Sequence, residues 1–365
     1  MLLISSEFPP GPGGIGQHTA SLLQAWPESD AVHLLTNQDY CSPKEAAQYQ
    51  VALLRASQKL IPFVSRDKPL YPFQRALQAL QLVRNTKASR IIVSGRFPLW
   101  LGGLIKTVYP RRRVDAFVHG TEITPKKNWQ DKVNAWALKL MDNIYPVSSF
   151  TAKLLPNDIP NEKVSIIPNG IDPQWLERAA QNGNTKMPLK GSPRLLTVGN
   201  VTYRKGQHRV IRALPALLQR FPKAHYHIVG LPTLRAEMQA LAEELNVAHA
   251  LTFHGKVARE TLYGFYSSCD LFIMLSENQA DGDVEGFGIA ILEANAFGMP
   301  AIGASGCGIE DAINEASGKL VDGDDSVAIA HAAAQIIAAQ QRYAQGARQW
   351  AERHSWDVNI KPILR

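Results

Sequence analysis

Hydrophobic positions along this chain come in two forms that take turns: short continuous runs of strand length, and longer stretches in which apolar residues recur every three or four positions. In the first half the runs are Met1–Ser5, Ala31–Thr36, Ile91–Ser94 and Val114–His119. Helical spacing fills the gaps at Gln17–Ala25, Pro72–Val83 and Val133–Met141. Tyr145–Ser149 and Val164–Pro168 read as the last two short strands of that half, and Asn169–Pro173 as the turn that leaves it. The pattern then starts again. Strands are predicted at Arg194–Gly199, Ala224–Gly230, Leu251–His254, Asp270–Leu275, Pro300–Ala304 and Gly318–Val321. Helices are predicted at Gly206–Phe221, Leu234–Leu245, Glu260–Ser268, Ile289–Phe297, Ser326–Gln345 and Trp350–Trp356. Strand alternating with helix argues a parallel, doubly wound sheet, so the fold class is α/β with two Rossmann-like domains, residues 1–170 and 171–349. Ligand is then expected at the carboxyl ends of the strands.

Composition bounds the reading without changing it. At 365 residues the chain is too long for one ordinary core, and 45% apolar content is that of a globular protein. No run of 18 apolar residues exists and Met1 leads straight into a strand, so neither a membrane span nor a signal peptide is expected and the compartment is read as cytoplasmic. Cys41, Cys269 and Cys307 are too few and too scattered for a disulfide frame or a zinc site. Charge does alter the picture. Met1–Asp172 carries 20 Lys and Arg against 13 Asp and Glu, a net of +7, while the remainder is neutral. Arg111, Arg112 and Arg113 with Lys106, Lys126, Lys127 and Lys132 form the densest part. Such a half could lie on an anionic membrane at about 1 kcal/mol per well-placed cation, although ordinary solvated surface charge gives the same count.

The most informative nine residues are Glu285–Glu293, EGFGIAILE. A strand, a polar loop, a Gly286-Phe287-Gly288 turn and a helix opening at Ile289 together make a site for anions, because unpaired N–H groups and the positive end of the helix dipole face outward. Glu285 stands before the helix and Glu293 inside it, so one can grip a ligand's far end while the other faces its reacting end. Two glutamates eight apart are also what a solvated helix shows. Gly11–Gly16 spells G-x-G-x-x-G, the mark of a dinucleotide oxidoreductase. Its context is poor, since Glu7-Phe8-Pro9-Pro10 separates the strand from the glycines and no acidic residue ends the second strand at Thr36. Asp281-Gly282-Asp283 matches a D-x-D metal motif but lies mid-loop, six residues past Leu275.

The segment Glu285–Glu293 resembles the E-x7-E signature of retaining glycosyltransferases of family 4, whose two Rossmann-like domains face across a cleft in the GT-B fold. FPPGPGGIG resembles that family's P-P-x-x-G-G opening, His119-Gly120-Thr121-Glu122 its first-domain histidine, and Gly199–Gly206 its phosphate-binding segment. By this resemblance Glu293 holds the ribose of a nucleotide-sugar. Glu285 with the backbone of Gly286, Phe287, Gly288 and Ile289 holds the sugar and its phosphate. Gly13 and Gly14 approach the diphosphate, His119 reaches the donor sugar, and the base lies near Val257. Lys205 matches the lysine that neutralises the leaving diphosphate; Asn200 stands where an arginine often does, with Arg204 as its substitute. The final helix, residues 350–365, is expected to cross back to the first domain.

The function this implies is transfer of a sugar, with retention, from a nucleotide-sugar to a hydroxyl of a glycan or lipid-linked glycan. UDP-sugars such as UDP-glucose are favoured over GDP-sugars. His119, Lys205 and Glu285 would be catalytic, with no cofactor, no metal and no nucleic-acid partner, and with peripheral contact at the membrane's inner face. The rivals are a nucleotide-sugar 2-epimerase and a non-catalytic sugar-nucleotide binder.

Overall fold

The computed structural model describes residues 1–11, 13–40, 42, 44–45, 53–181 and 186–364, so Pro12 of the glycine loop and Cys41 lie outside the described residues. The chain divides into two compact units, Met1–Asn169 with Asn359–Arg365, and Gly170–Val358.

The first unit is built on six parallel strands: β1 Leu2–Ser5, β2 Val32–Thr36, β3 Gln58–Pro62, β4 Arg90–Ser94, β5 Arg113–Val118 and β6 Asn143–Pro146. They lie in the order β3-β2-β1-β4-β5-β6. Leu2, Ile4, Ile91, Val93, Val114 and Ala116 are fully buried between the helix layers. Burial on both faces is why these strands read as unbroken apolar runs and not as alternation. Each large apolar side chain so enclosed stabilises the fold by roughly 1.5–3 kcal/mol relative to exposure.

Three features depart from the sequence reading. β3 was not expected: it is an edge strand that carries Gln58, Lys59 and Pro62. Val164–Pro168 is not a strand, although it runs along β6 through a bridge from Val164 to Ile144 and through the Ser165 and Ile167 amides, which donate to the Ile144 and Pro146 carbonyls at 3.0 and 2.9 Å. The first helix begins at Gly14, three residues before the expected Gln17, because Gly13 is extended and serves as its N-cap.

The second unit repeats the plan. β7 Arg194–Val198, β8 His225–Val229, β9 Leu251–Gly255, β10 Leu271–Met274, β11 Ala301–Ala304 and β12 Gly318–Val321 lie in the order β12-β11-β10-β7-β8-β9. In both sheets three strands step outward one way and the next three step outward the other, so the strand order reverses between β1 and β4 and between β7 and β10. The crevice outside the carboxyl ends at such a reversal is where doubly wound sheets hold ligands.

The Ala-rich stretch expected as one helix is two, Ser326–Ala338 and Gln340–Arg353, broken at Ala339. The return to the first unit, expected from Trp350, begins at Asn359. Trp350 is still held in the second unit, where its indole Nε1 donates to the Ala312 carbonyl at 2.9 Å, and Trp356 packs so closely on Gly170 that a Cβ there would lie 2.6 Å from the ring. Asn359 then donates to the Pro168 carbonyl at 2.9 Å within the first unit.

Candidate active site

In the second unit the loops leaving β7 and β10 meet at the strand reversal. After β7 the chain passes Gly199 and Asn200 into a single 3-10 turn, Tyr203–Lys205, and then Gly206. Gly206 has φ +75°, and a Cβ on it would fall 1.9 Å from the Leu275 carbonyl oxygen at the end of β10, so only glycine fits. This close approach aims Arg204 and Lys205 at the second loop. Lys205 Nζ lies 2.8 Å from Glu285 Oε2, and Arg204 bonds the same carboxylate oxygen while its Nε donates to Asp283 Oδ2 at 3.0 Å.

Glu285 is 7% exposed. Burial by itself would raise its pKa; Lys205 and then Arg204 outweigh that and hold it below the usual carboxylate range. Burial likewise opposes the charge on Arg204, and Glu285 and Asp283 raise its pKa in spite of it. The result is a charged, desolvated triad directly before Gly288, the N-cap of the helix Ile289–Ala296. Glu293 sits within that helix and accepts the Tyr266 hydroxyl at 2.8 Å. Burial first raises the Glu293 pKa, with Tyr266, Arg259 and Lys205 opposing.

Asn200 uses its backbone carbonyl to accept Gln207 Nε2 at 3.1 Å, and its side chain forms no hydrogen bond within the triad. Arg204, which the sequence offered only as a substitute, is the cation beside Lys205. Val257 lies in the turn after β9, half-buried, next to the exposed Lys256. Asp283 of the D-x-D sequence is turned to Arg204, and Asp281 Oδ1 accepts the Asp283 amide at 3.0 Å.

In the first unit the corresponding reversal is framed by the loop after β1 and the ends of β4 and β5. His119 follows β5, and its Nε2 lies 2.8 Å from Ser94 Oγ at the end of β4. Three further residues complete this half-site: His18 and Glu7, to which sequence reasoning gave no role, and Glu122, which it named only as part of the His119 motif. His18, from the first helix, meets His119 edge to face with centroids 4.8 Å apart, while its Nδ1 lies 2.7 Å from Asn169 Oδ1. Burial lowers the His18 pKa to about 4. Burial and then the neighbouring His18 lower that of His119 well below its ordinary value, so both imidazoles are neutral at pH 7. Glu122 accepts the His119 backbone N–H, which fixes the loop, and burial raises its pKa to about 6.

Glu7 reaches back over the glycine loop, where a Cβ on Gly13 would fall 1.7 Å from its Oε2. Gly14 opens the helix with free space around it. His18 had a signal in the sequence, as the residue four after Gly14 in GGIGQH; Glu7 had one only in its closeness to the prolines.

The model of glycosyltransferase family 4 matches residues 12–175, and that of glycosyl transferases group 1 matches residues 184–353. A GDP-mannose-dependent alpha-(1-6)-phosphatidylinositol monomannoside mannosyltransferase of Mycolicibacterium smegmatis is 28% identical over 370 residues, which cover 96% of this chain and 93% of that one. Among solved structures, sucrose-phosphate synthase from Thermosynechococcus elongatus matches with a TM-score of 0.77 at 19% identity, over 99% of this chain and 96% of that one. HepE from Anabaena in complex with UDP-glucose matches with a TM-score of 0.73 at 17% identity, over 100% and 98%. The two family models between them take in nearly all of a chain made of two Rossmann-like units, and this protein belongs to the group 1, family 4 glycosyltransferases of the GT-B fold.

Proposed function

We propose that the chain is a retaining glycosyltransferase that moves a sugar from a nucleoside-diphosphate sugar to a hydroxyl of a lipid-linked or glycan acceptor. One observation carries this reading: Lys205, Arg204 and Glu285 converge at the β7/β10 reversal, in front of a helix N-terminus. A nucleoside diphosphate leaves with two or more negative charges, and fixed cations with unpaired amides stabilise charge that grows in the transition state. Glu285, ionised by its two cations, orients the sugar. Glu293 accepts from the ribose hydroxyls with Tyr266 fixing its carboxylate, and neutral His119 offers one hydrogen bond to the sugar. Retention follows the family's habit. The bond from the anomeric carbon to the phosphate oxygen breaks, a bond to the acceptor oxygen forms on the same face, and the leaving phosphate takes the acceptor proton.

The full-length mycobacterial relatives are by name GDP-mannose-dependent, so GDP-mannose precedes UDP-glucose as the donor to test. Their acceptors are by name phosphatidylinositol monomannosides, which supports a lipid-linked acceptor for this chain also. On this reading Lys205 and Arg204 meet the diphosphate when the donor binds, and the reaction is expected to run without a metal. The direct test is calorimetry with GDP, UDP and ADP, followed by product analysis of the best donor with and without a soluble acceptor, in EDTA. Acceptor-dependent release of nucleotide with an unchanged anomeric configuration is expected. Conversion of the donor with no acceptor present would support the epimerase, loss of turnover on chelation restored by Mn²⁺ would reinstate a metal, and binding with no turnover would leave a sugar-nucleotide binder.

A further inference from the structure

The helices that join β3 to β4, β4 to β5 and β5 to β6, namely Tyr71–Thr86, Arg96–Val108 and Trp129–Leu140, pack side by side over one face of the first sheet. Each crossover steps across the sheet in the same direction, and right-handed crossovers then stay on one side. Across all three helices the sequence holds one acidic residue, Asp131, which closes the capping box with Asn128.

Their outward side is apolar where solvent is expected. Leu70 is 71%, Phe73 74% and Leu77 56% exposed on one flank, and Trp129 is 62% and Trp136 42% exposed on the other. Leu70, Phe73 and Leu77 recur at helical spacing and form one ridge. Trp129, Lys132, Trp136 and Lys139 recur likewise, as a stripe of alternating indole and ammonium. The cations around the ridges are exposed too: Arg66, Lys68, Arg84 and Lys132; Arg66 also lies 3.6 Å from Asp39, Lys139 lies 2.5 Å from Asp158, and Asp67 stands between Arg66 and Lys68. A monomer rarely leaves so much large apolar surface in water without a use for it, and indole beside lysine is the composition of a bilayer interface.

The arginine run expected to serve this purpose does not. Arg112 Nη1 donates to the Lys87 and Ala88 carbonyls at 3.2 and 3.1 Å, Arg113 pairs with the buried Asp115 at 3.1 Å, and Lys106 lies 2.7 Å from Asp142. Only Arg111 of the three stays exposed, and it stands before β5, at the opposite sheet edge from His119.

We propose that this three-helix face docks the protein on an anionic lipid bilayer, the Leu70-Phe73-Leu77 ridge and the indoles of Trp129 and Trp136 entering the headgroup layer while Arg66, Lys68, Arg84 and Lys132 meet lipid phosphates. The helices run opposite to the strands, so Leu70, Phe73 and Trp129 stand at the carboxyl edge of the sheet, where His119 also lies. Docking there presents that edge to a lipid-borne hydroxyl, an inference that rests on the lipid-linked reading of the acceptor.

Vesicle sedimentation tests it, with phosphatidylcholine alone and with phosphatidylglycerol added. Wild type should bind the anionic vesicles, less so as salt shortens the Debye length to about 8 Å. Phe73→Ser with Leu77→Ser, and Trp129→Ser with Trp136→Ser, should each weaken that binding by about tenfold or more, and Arg111→Ser should leave it unchanged. Both double variants replace exposed side chains, so melting curves should match wild type and turnover on a soluble acceptor should persist. Wild type that ignores anionic vesicles, or ridge variants that sediment like wild type, would overturn the proposal. So would a wild-type dimer that the ridge variants break, which would make the face a contact between copies of this chain. Vesicle binding as expected with no turnover on any donor would sink the enzymatic reading and leave the docking face standing.

Discussion

Lys205 Nζ lies 2.8 Å from Glu285 Oε2, and the pair joins the loop after β7 to the loop after β10 at the point where the strand order of the second sheet reverses. Neither charge is spare. Glu285 keeps its proton off at neutral pH because two cations face it in a desolvated site, and Lys205 is held in place by the carboxylate that it serves. Lys205→Ala should therefore lower kcat by on the order of 10²-fold or more, with a smaller effect on binding of the uncharged sugar moiety. Arg204 remains on Glu285 in that variant, so the fold should survive and the melting temperature should change little. Steady-state kinetics with saturating donor decide the matter, and turnover within a factor of two of wild type would remove Lys205 from the chemistry.

That pair was within reach of sequence reading because both partners flank glycines whose spacing is dictated by backbone contact. Gly206 has to be glycine to pass the Leu275 carbonyl, and Gly288 has to cap the helix after Glu285. The strands were legible for a related reason: parallel strands buried on both faces read as near-continuous apolar runs, even where Asp115, His225 and His227 interrupt them. β3 escaped because an edge strand with Gln58, Lys59 and Pro62 carries too few apolar residues for its length. His18 and Tyr266 escaped because each acts through a partner far along the chain, His119 and Glu293 respectively; the closeness of His18 to the glycine loop was its one local signal, and Tyr266 had none to separate it from core residues. The arginine run misled in the opposite sense. Three cations in a row read as a surface patch, whereas the fold turns Arg112 to backbone carbonyls and Arg113 to Asp115.

Tyr266 gives a way to separate the orientation of Glu293 from its charge. The phenol donates to the carboxylate at 2.8 Å, and the Tyr266 ring is itself held against Trp175 and Phe297, the latter stacked on Tyr263. Glu293→Ala should weaken nucleotide binding by roughly 1.5–3 kcal/mol, the range of hydrogen bonds to a charged group. Tyr266→Phe keeps the carboxyl and loses the hydrogen bond that aims it, so a loss of about 0.5–1.5 kcal/mol is expected. Calorimetry with the preferred nucleoside diphosphate measures both. An order reversed between the two variants would show that the tyrosine, and not the glutamate, carries the contact.

The two histidines of the first unit should make the protein acid-labile. Burial holds the His18 pKa at about 4 against an ordinary 6.5, so between those values the unfolded chain binds a proton that the folded chain refuses. The stability that this contributes is complete above pH 6.5 and is lost as pH falls toward 4, with a limit on the order of 3 kcal/mol. His225 and His254 of the second unit, each lowered to about 4 chiefly by burial, act in the same direction. Glu122 acts in the other. Its pKa is raised to about 6 from 4.5, so it favours the folded state below pH 4.5 and that preference is lost as pH rises through 6. Glu7, Asp172 and Glu293, also raised by burial, act with Glu122; the eight histidines whose pKa burial lowers outnumber these four, and the melting temperature should fall from pH 7 to pH 4. Glu122→Gln keeps an acceptor for the His119 amide and removes the opposing term, so its melting temperature relative to wild type should be higher at pH 7 than at pH 4. His18→Gln should flatten the wild-type slope. Thermal melts across this range test all three expectations, and a wild-type melting temperature independent of pH would show that these histidines are not held neutral by the fold.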